Sequence, residues 1–357
     1  MGWETCMLGI IAAIGLAMAG GDDRPDVASA NLQPAAGFSG QIVFGTRESM
    51  MFSETYGLAD REAGDEVTRD TLFDIGSLTK QVTAAGVIWL VQNEQLSLDE
   101  TLSDFFDDVP PAFAGRTVHE LLTHTAGLPQ YSGDDYDLVN RDGFADWLSA
   151  ADASEAEAGI FHYSNPGYSI LARIIEMRSG QDFETFLREN LMNPAGIMAL
   201  GYRQLPPDLP EAVGYYGGDA MGRPREQAWL PDGPSWNLRG NGGMLASAET
   251  LYAWVVAVSG GDVPDAGHTA MLFQPHVVRD AERARSYGYG WNVDTSGSTV
   301  RINHSGGNMV FVAFAEWWPS QDCFFVITSN AYDESEIGQL ISQTREALAE
   351  TPECAAD

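Results

Sequence analysis

Strand-like runs stand at the two ends of this 357-residue chain, and nearly everything between them reads as helix or loop. From Phe38 to Asp60, alternating residues on either side of Gly45-Thr46 predict two antiparallel strands, FSGQIVFG and MMFSETYG. After Ser286 come four short strand candidates, YGYGWNVD, STVRINHSGG, VFVAFAEWW and CFFVITSN, and then an amphipathic helix over 334–350. Strands need partners, and the economical arrangement is one antiparallel sheet assembled from both chain ends. The terminal helix covers that sheet, and a mostly helical lobe is inserted between its halves. The expected class is therefore α+β in two lobes, with the sheet lobe built from about 38–95 and 285–357 and the helical lobe from about 96–284. A cleft between lobes is where polar groups from distant segments converge.

Within the middle stretch the punctuation is local. A helical pattern runs from Ser77 to Gln95 with Val82, Val87, Ile88, Leu90 and Val91 as its apolar positions. Asn165-Pro166 makes a helix start and Gly180 a stop, and Ser247 is suited to cap the helix beginning ETLYAWVVAV. No internal repeat or low-complexity tract interrupts the chain.

Charge excludes two classes of partner. With 51 acidic against 19 basic residues the net charge is -32, a surface that repels nucleic-acid phosphates and anionic lipid headgroups. Residues 6–19, CMLGIIAAIGLAMA, are apolar, too short to span a bilayer and closed by the small-x-small pattern Ala17-Met18-Ala19. They read as a signal peptide over 1–19, although Glu4 stands where a basic residue is usual. A polar linker over 20–31 follows, and then the main domain over 32–357. Export to the periplasm or the medium is the expectation, with no transmembrane anchor after signal removal. Of the three cysteines, Cys6 would leave with the signal; Cys323 and Cys354 remain, and the sequence leaves open whether they are bridged or free.

Three constellations carry chemistry. Ser77-Leu78-Thr79-Lys80, at a helix start, puts a hydroxyl and an amine on one face, one turn apart. The helix end offers free N–H groups that favour the oxyanion formed when serine attacks a carbonyl. Lys80 is the only lysine in the chain, beside eighteen arginines. A position that kept lysine while arginine took the other cationic roles is one where the group must give up its proton, which guanidinium does not do. Tyr163-Ser164-Asn165 supplies a hydroxyl able to pass a proton to a leaving group and an amide able to hold both lysine and substrate, though Asn165 also suits an N-cap. His304-Ser305-Gly306-Gly307 places an imidazole and two glycines on a strand that a substrate backbone can approach. One pattern is a decoy. His119 and His124 sit five apart in HELLTH, whereas a zinc helix needs four, so they read as structural and no metal is expected.

These motifs, in this order, resemble the serine β-lactamase and penicillin-binding family, and more narrowly its class C branch with D-alanyl-D-alanine carboxypeptidases, D-aminopeptidases and esterases. The resemblance runs from about Phe38 to Asn330 through FDIGSLTKQVTAAGVIWLV, HELLTHTAGLPQY, HYSNPGYSILARIIEMRSG, GNGGMLASAETL, YGYGW and NHSGG. It implies a β-lactamase/transpeptidase-like fold, Ser77 as the acylated nucleophile, Lys80 as its base and Tyr163 in proton transfer. Asn165, His304 and Gly306 would orient substrate, and the backbone N–H groups of Ser77 and Gly307 would form the oxyanion hole. No cofactor is implied. His304 stands where many members carry a lysine that binds the β-lactam carboxylate, which points toward an esterase or D-peptidase acting on small esters, amides or D-amino-acid peptides. A true class C β-lactamase is the alternative within enzymes. A non-catalytic binder of peptidoglycan fragments is the alternative outside them, and it leaves the lone Lys80 without a purpose.

Overall fold

The computed structural model describes residues 32–153, 157–227, 229–331 and 333–355; the expected signal peptide and linker lie outside them. Eight strands form one antiparallel sheet in the spatial order Met50–Tyr56, Gly40–Thr46, Cys323–Ser329, Val312–Trp318, Arg301–Gly307, Asn292–Asp294, Arg285–Tyr287 and Val277–Asp280. An early strand thus pairs with a late one, in register from Gly40 opposite Ser329 to Thr46 opposite Cys323. The fold is a mixed α/β assembly with a large antiparallel sheet flanked by helices, as the distribution of strand-like runs implies.

Side chains along these strands alternate between two apolar layers. Ile42, Phe44, Phe325 and Ile327 face outward with Ile337, Leu340 and Leu348 of the terminal helix Glu334–Glu350. Val43, Phe324 and Val326 face inward and join the main core. Both faces are covered, which is why CFFVITS reads as a continuous apolar run rather than an alternating one. Each such side chain contributes about 1.5–3 kcal/mol when fully buried.

The inner layer contains the helix Thr79–Gln92, buried on almost every side, and the helix Asn165–Ser179 packed against it. The contact is close: a Cβ on Gly86 would lie 2.9 Å from Leu187 Cδ2 and 3.1 Å from Ile175 Cδ1. The helix Ala248–Gly260 lies on the strands Gly40–Thr46 and Cys323–Ser329. Ser247 caps it, its side chain accepting from Thr250 N, and Gly261 ends it at φ 77°, where a Cβ would be strained.

Three local features differ from the sequence expectation. The helix predicted over Ser77–Gln95 begins only at Thr79, after a 3-10 turn Gly76–Leu78, because Gly76 takes φ 49° and breaks the helical path before it, and the helix ends at Gln92. The run YGYGWNVD is the tip and flanks of a hairpin, with Gly290 at φ 79° so near the buried helix that a Cβ would lie 2.9 Å from the Lys80 carbonyl oxygen. The edge strand Val277–Asp280 escapes prediction because its exposed residues show no apolar alternation. Cys323 and Cys354 are joined, with Cα atoms 5.9 Å apart, which ties a central strand to the turn after the terminal helix.

Candidate active site

Ser77 sits in the 3-10 turn Gly76–Leu78, pressed against the end of the strand Arg301–Gly307. Glycine makes that contact achievable. A Cβ on Gly306 would lie 1.9 Å from the Ile75 carbonyl oxygen and 2.9 Å from Ser77 N, and one on Gly76 would lie 2.4 Å from Gly307 N. The backbone nitrogens of Ser77 and Gly307 therefore belong to the two sides of a single tight contact.

One turn on, Lys80 is wholly buried, and its Nζ has three neighbours. It lies 2.8 Å from Asn165 Oδ1, 2.7 Å from the Asn241 carbonyl oxygen and 3.1 Å from Ser77 Oγ. Among the described residues no carboxylate is bonded to it. Burial pushes its pKa well below the ordinary lysine value, and the attraction of Asp135 opposes this only in part. The rings of Tyr163 and Tyr168 close over it, 4.8 Å and 5.7 Å from Nζ.

The segment Tyr163–Asn165 reaches Lys80 because the cap falls one residue before the position expected. Ser164, not Asn165, caps the helix Asn165–Ser179: its Oγ accepts from Gly167 N at 3.2 Å and donates to the Pro129 carbonyl at 2.7 Å. The Asn165 side chain is thereby released toward Lys80. Burial raises the Tyr163 pKa and the interaction with the Ser77 side chain works the other way, which leaves a neutral phenol.

His304 is buried at the far side of Tyr163, ring centroids 6.4 Å apart. Its Nδ1 is 2.7 Å from the Ser305 carbonyl, which only accepts, so Nδ1 carries the proton. Nε2 then accepts from the Tyr287 hydroxyl at 3.2 Å. Tyr287 in turn lies 3.3 Å from Nε2 of His124, whose Nδ1 accepts from Ser164 N at 3.1 Å. The network assigns one direction to the whole chain, with both imidazoles neutral and their nitrogens engaged. Burial, and then the proximity of Lys80, holds the His304 pKa down at about 3; the same causes keep His124 well below the ordinary histidine value.

Residues 33–348 match the Beta-lactamase family. The chain belongs to the Beta-lactamase family. Among its relatives in that family, the chain is 25% identical to "Penicillin-binding protein 4*" of Bacillus subtilis over 87% of this chain and 72% of that protein. It is 27% identical to "Esterase EstB" of Burkholderia gladioli over 68% of each. A penicillin-binding protein from Bacillus halodurans superposes with a TM-score of 0.74 at 25% identity, covering 86% of this chain and 96% of that one. The Beta-lactamase family is one of serine hydrolases, and its fold is the one described above.

Several residues that border the site carried no signal. Asn241 contributes a backbone carbonyl, positioned by Gly240 at φ 82° and by its own side chain, which donates to Ser169 Oγ and the Asn237 carbonyl. The GNGG run was visible in the sequence; which atom faces Lys80 was not. Asp74 accepts from Gly76 N at 2.7 Å and from Asn308 Nδ2 at 2.9 Å, and burial raises its pKa to about 7. Asp135 shares the recess beside Ser77. The two histidines of HELLTH separate as expected from their spacing, since the helix Val118–Leu122 ends before His124, which takes φ 58°. His119 Nδ1 bonds the Tyr289 hydroxyl at 2.7 Å. Among the described residues, no group of three or more His, Cys, Asp or Glu side chains is placed to hold a metal ion.

Proposed function

We propose that this chain is a serine hydrolase that forms an acyl-enzyme on Ser77 and cleaves small esters, amides or D-amino-acid peptides. The observation that carries the reading is the set of three neighbours around Lys80 Nζ. A neutral amine has two N–H bonds and one lone pair. Two of the neighbours, Asn165 Oδ1 and the Asn241 carbonyl, only accept, so the lone pair is left facing Ser77 Oγ–H. Depression of the lysine pKa by burial supplies the uncharged form.

In the proposed sequence, Lys80 takes the Ser77 proton while Oγ bonds to the substrate carbonyl carbon. The backbone N–H groups of Ser77 and Gly307 stabilise the oxyanion. Tyr163 protonates the leaving group, whose bond to the carbonyl carbon breaks to give the acyl-enzyme; water then releases the acid by the same steps in reverse roles. Asn165 fixes Lys80 through Oδ1 and turns its NH₂ toward the substrate carbonyl. For His304 we assign orientation of the strand edge, because both ring nitrogens are already engaged; Gly306 admits the substrate backbone there. The absence of a cation at 304 favours ester and amide substrates over β-lactams, and the esterase relative points the same way. We further assign the chain to an exported location, which the Cys323–Cys354 bridge supports because such bonds persist in oxidising compartments. Among the described residues no helix is long and apolar enough to cross a membrane.

The test is hydrolysis of p-nitrophenyl butyrate by the protein and its Ser77→Ala variant. Turnover should fall by about 10⁴-fold or more, as for other removals of a catalytic nucleophile. A Ser77→Ala protein that keeps its rate removes the acyl-enzyme.

A further inference from the structure

The recess beside Ser77 is bordered by Asp74, Asp135, Tyr136, Asn165 and Asn308, and no arginine, lysine or histidine is among the described residues that line it. Its two carboxylates differ in how they are held. Asp74 is buried with both oxygens bonded within the protein, to Gly76 N and to Asn308 Nδ2. Asp135 is half-buried, and among the described residues no hydrogen bond or ion pair reaches its carboxylate. The side chains that interact with it electrostatically include buried Lys80 and the acids or phenol Asp134, Asp74 and Tyr136.

An unpaired carboxylate beside the nucleophile is a liability for the proposed reaction, because negative charge develops on the carbonyl oxygen within the same recess. A cation brought by the substrate removes the liability and turns the carboxylate into an anchor. An α-ammonium group is only two bonds from the carbonyl carbon that Ser77 attacks, so it lies within the recess whenever that carbon is in place.

We infer that Asp135 is the specificity-determining residue of the cleft and pairs with a free α-ammonium group, so that the preferred substrates are small amides and esters of amino acids or peptides with an unblocked amino terminus. The inference rests on the Ser77–Lys80 reading above and narrows its substrate class. Burial raises the Asp135 pKa to about 6, with Lys80 opposing and Asp134 reinforcing the rise, while a free α-amino group titrates near 7.7–8.0. Preference for the free amine therefore rises as pH passes 6 and falls away above about 8.

The experiment compares alanine p-nitroanilide with its N-acetyl form, using both enantiomers, and adds p-nitrophenyl butyrate as an uncharged substrate. Wild type should favour the free amine, and Asp135→Asn should cut that preference by about 30-fold, the factor corresponding to about 2 kcal/mol for loss of one partner of a partly buried charge pair. The same variant should hydrolyse the butyrate ester several-fold faster, while Asp135→Glu retains part of the preference. An unchanged ratio, or a parallel fall on all three substrates, overturns the inference. Binding keeps this separable from the chemistry: alaninamide and N-acetylalaninamide are titrated calorimetrically into Ser77→Ala protein with and without Asp135→Asn. Tighter binding of the free amine that depends on Asp135 supports the inference even if Ser77 is not the nucleophile, and equal binding of the two ligands overturns it.

Discussion

Each face of the sheet holds a basic side chain, on opposite terms. On the outer face Arg345 of the terminal helix meets Glu316, whose side chain is fully buried. Arg345 Nε lies 2.9 Å from Oε1 and Nη2 2.5 Å from Oε2, while Trp318 Nε1 and Asn303 Nδ2 also donate to Glu316. Burial works against the Arg345 charge, but the bonds and attraction of Glu316 outweigh it and raise its pKa. On the inner face Lys80 is fully enclosed and is bonded to a carbonyl, an amide oxygen and a hydroxyl, with no counter-ion among the described residues. A charge meant to persist is matched with a carboxylate; a charge meant to come and go is given only neutral acceptors. Residue type follows the same division, since arginine cannot lose its proton and lysine can.

Exchanging the inner base is the most damaging way to challenge that contrast. Lys80→Arg keeps a cation but removes the lone pair, and ester turnover should drop by about 10³–10⁴-fold with the far-ultraviolet spectrum unchanged. A lightly affected Lys80→Arg enzyme would erase the distinction between the faces. On the outer face Glu316→Ala strands Arg345, and urea unfolding should show a loss of about 3 kcal/mol with normal turnover per folded molecule. Should activity fall while stability holds, the outer pair would be functional instead. The smallest effect concerns the neutral histidines. His304 titrates at about 3 in the fold against an ordinary 6.5, so it contributes stability above 6.5 that is lost as pH falls through that window toward 3. A His304→Gln protein should show a flatter melting-temperature profile between pH 6.5 and 4 than wild type; parallel profiles would mean that other groups set the acid response.

Legibility differed between these regions for physical reasons. The outer layer was readable because alternation and the terminal amphipathic pattern record burial directly in side-chain type. Ser77 and Lys80 were readable because helical spacing brings them to one face and the lone lysine needed a reason. Asn165 was ambiguous in sequence because Ser164 and Asn165 are both competent caps, and only the bond from Ser164 to Pro129 decides between them. Asn241 acts through its backbone, which every residue possesses, so no residue-type signal existed to be read. The chain from His124 through Tyr287 to His304 joins segments remote in sequence, and its direction follows from tertiary placement of Ser164 N and the Ser305 carbonyl.

Pairing Gly40–Thr46 with Cys323–Ser329 also sets a timetable. The strand Gly40–Thr46 waits for a partner that begins at Cys323, far along the chain, so this part of the sheet cannot close in step with synthesis. For the export proposed above that delay is an advantage, because the sheet stays open during the passage. The bond from Cys323 to Cys354 then acts as a latch on the late strand.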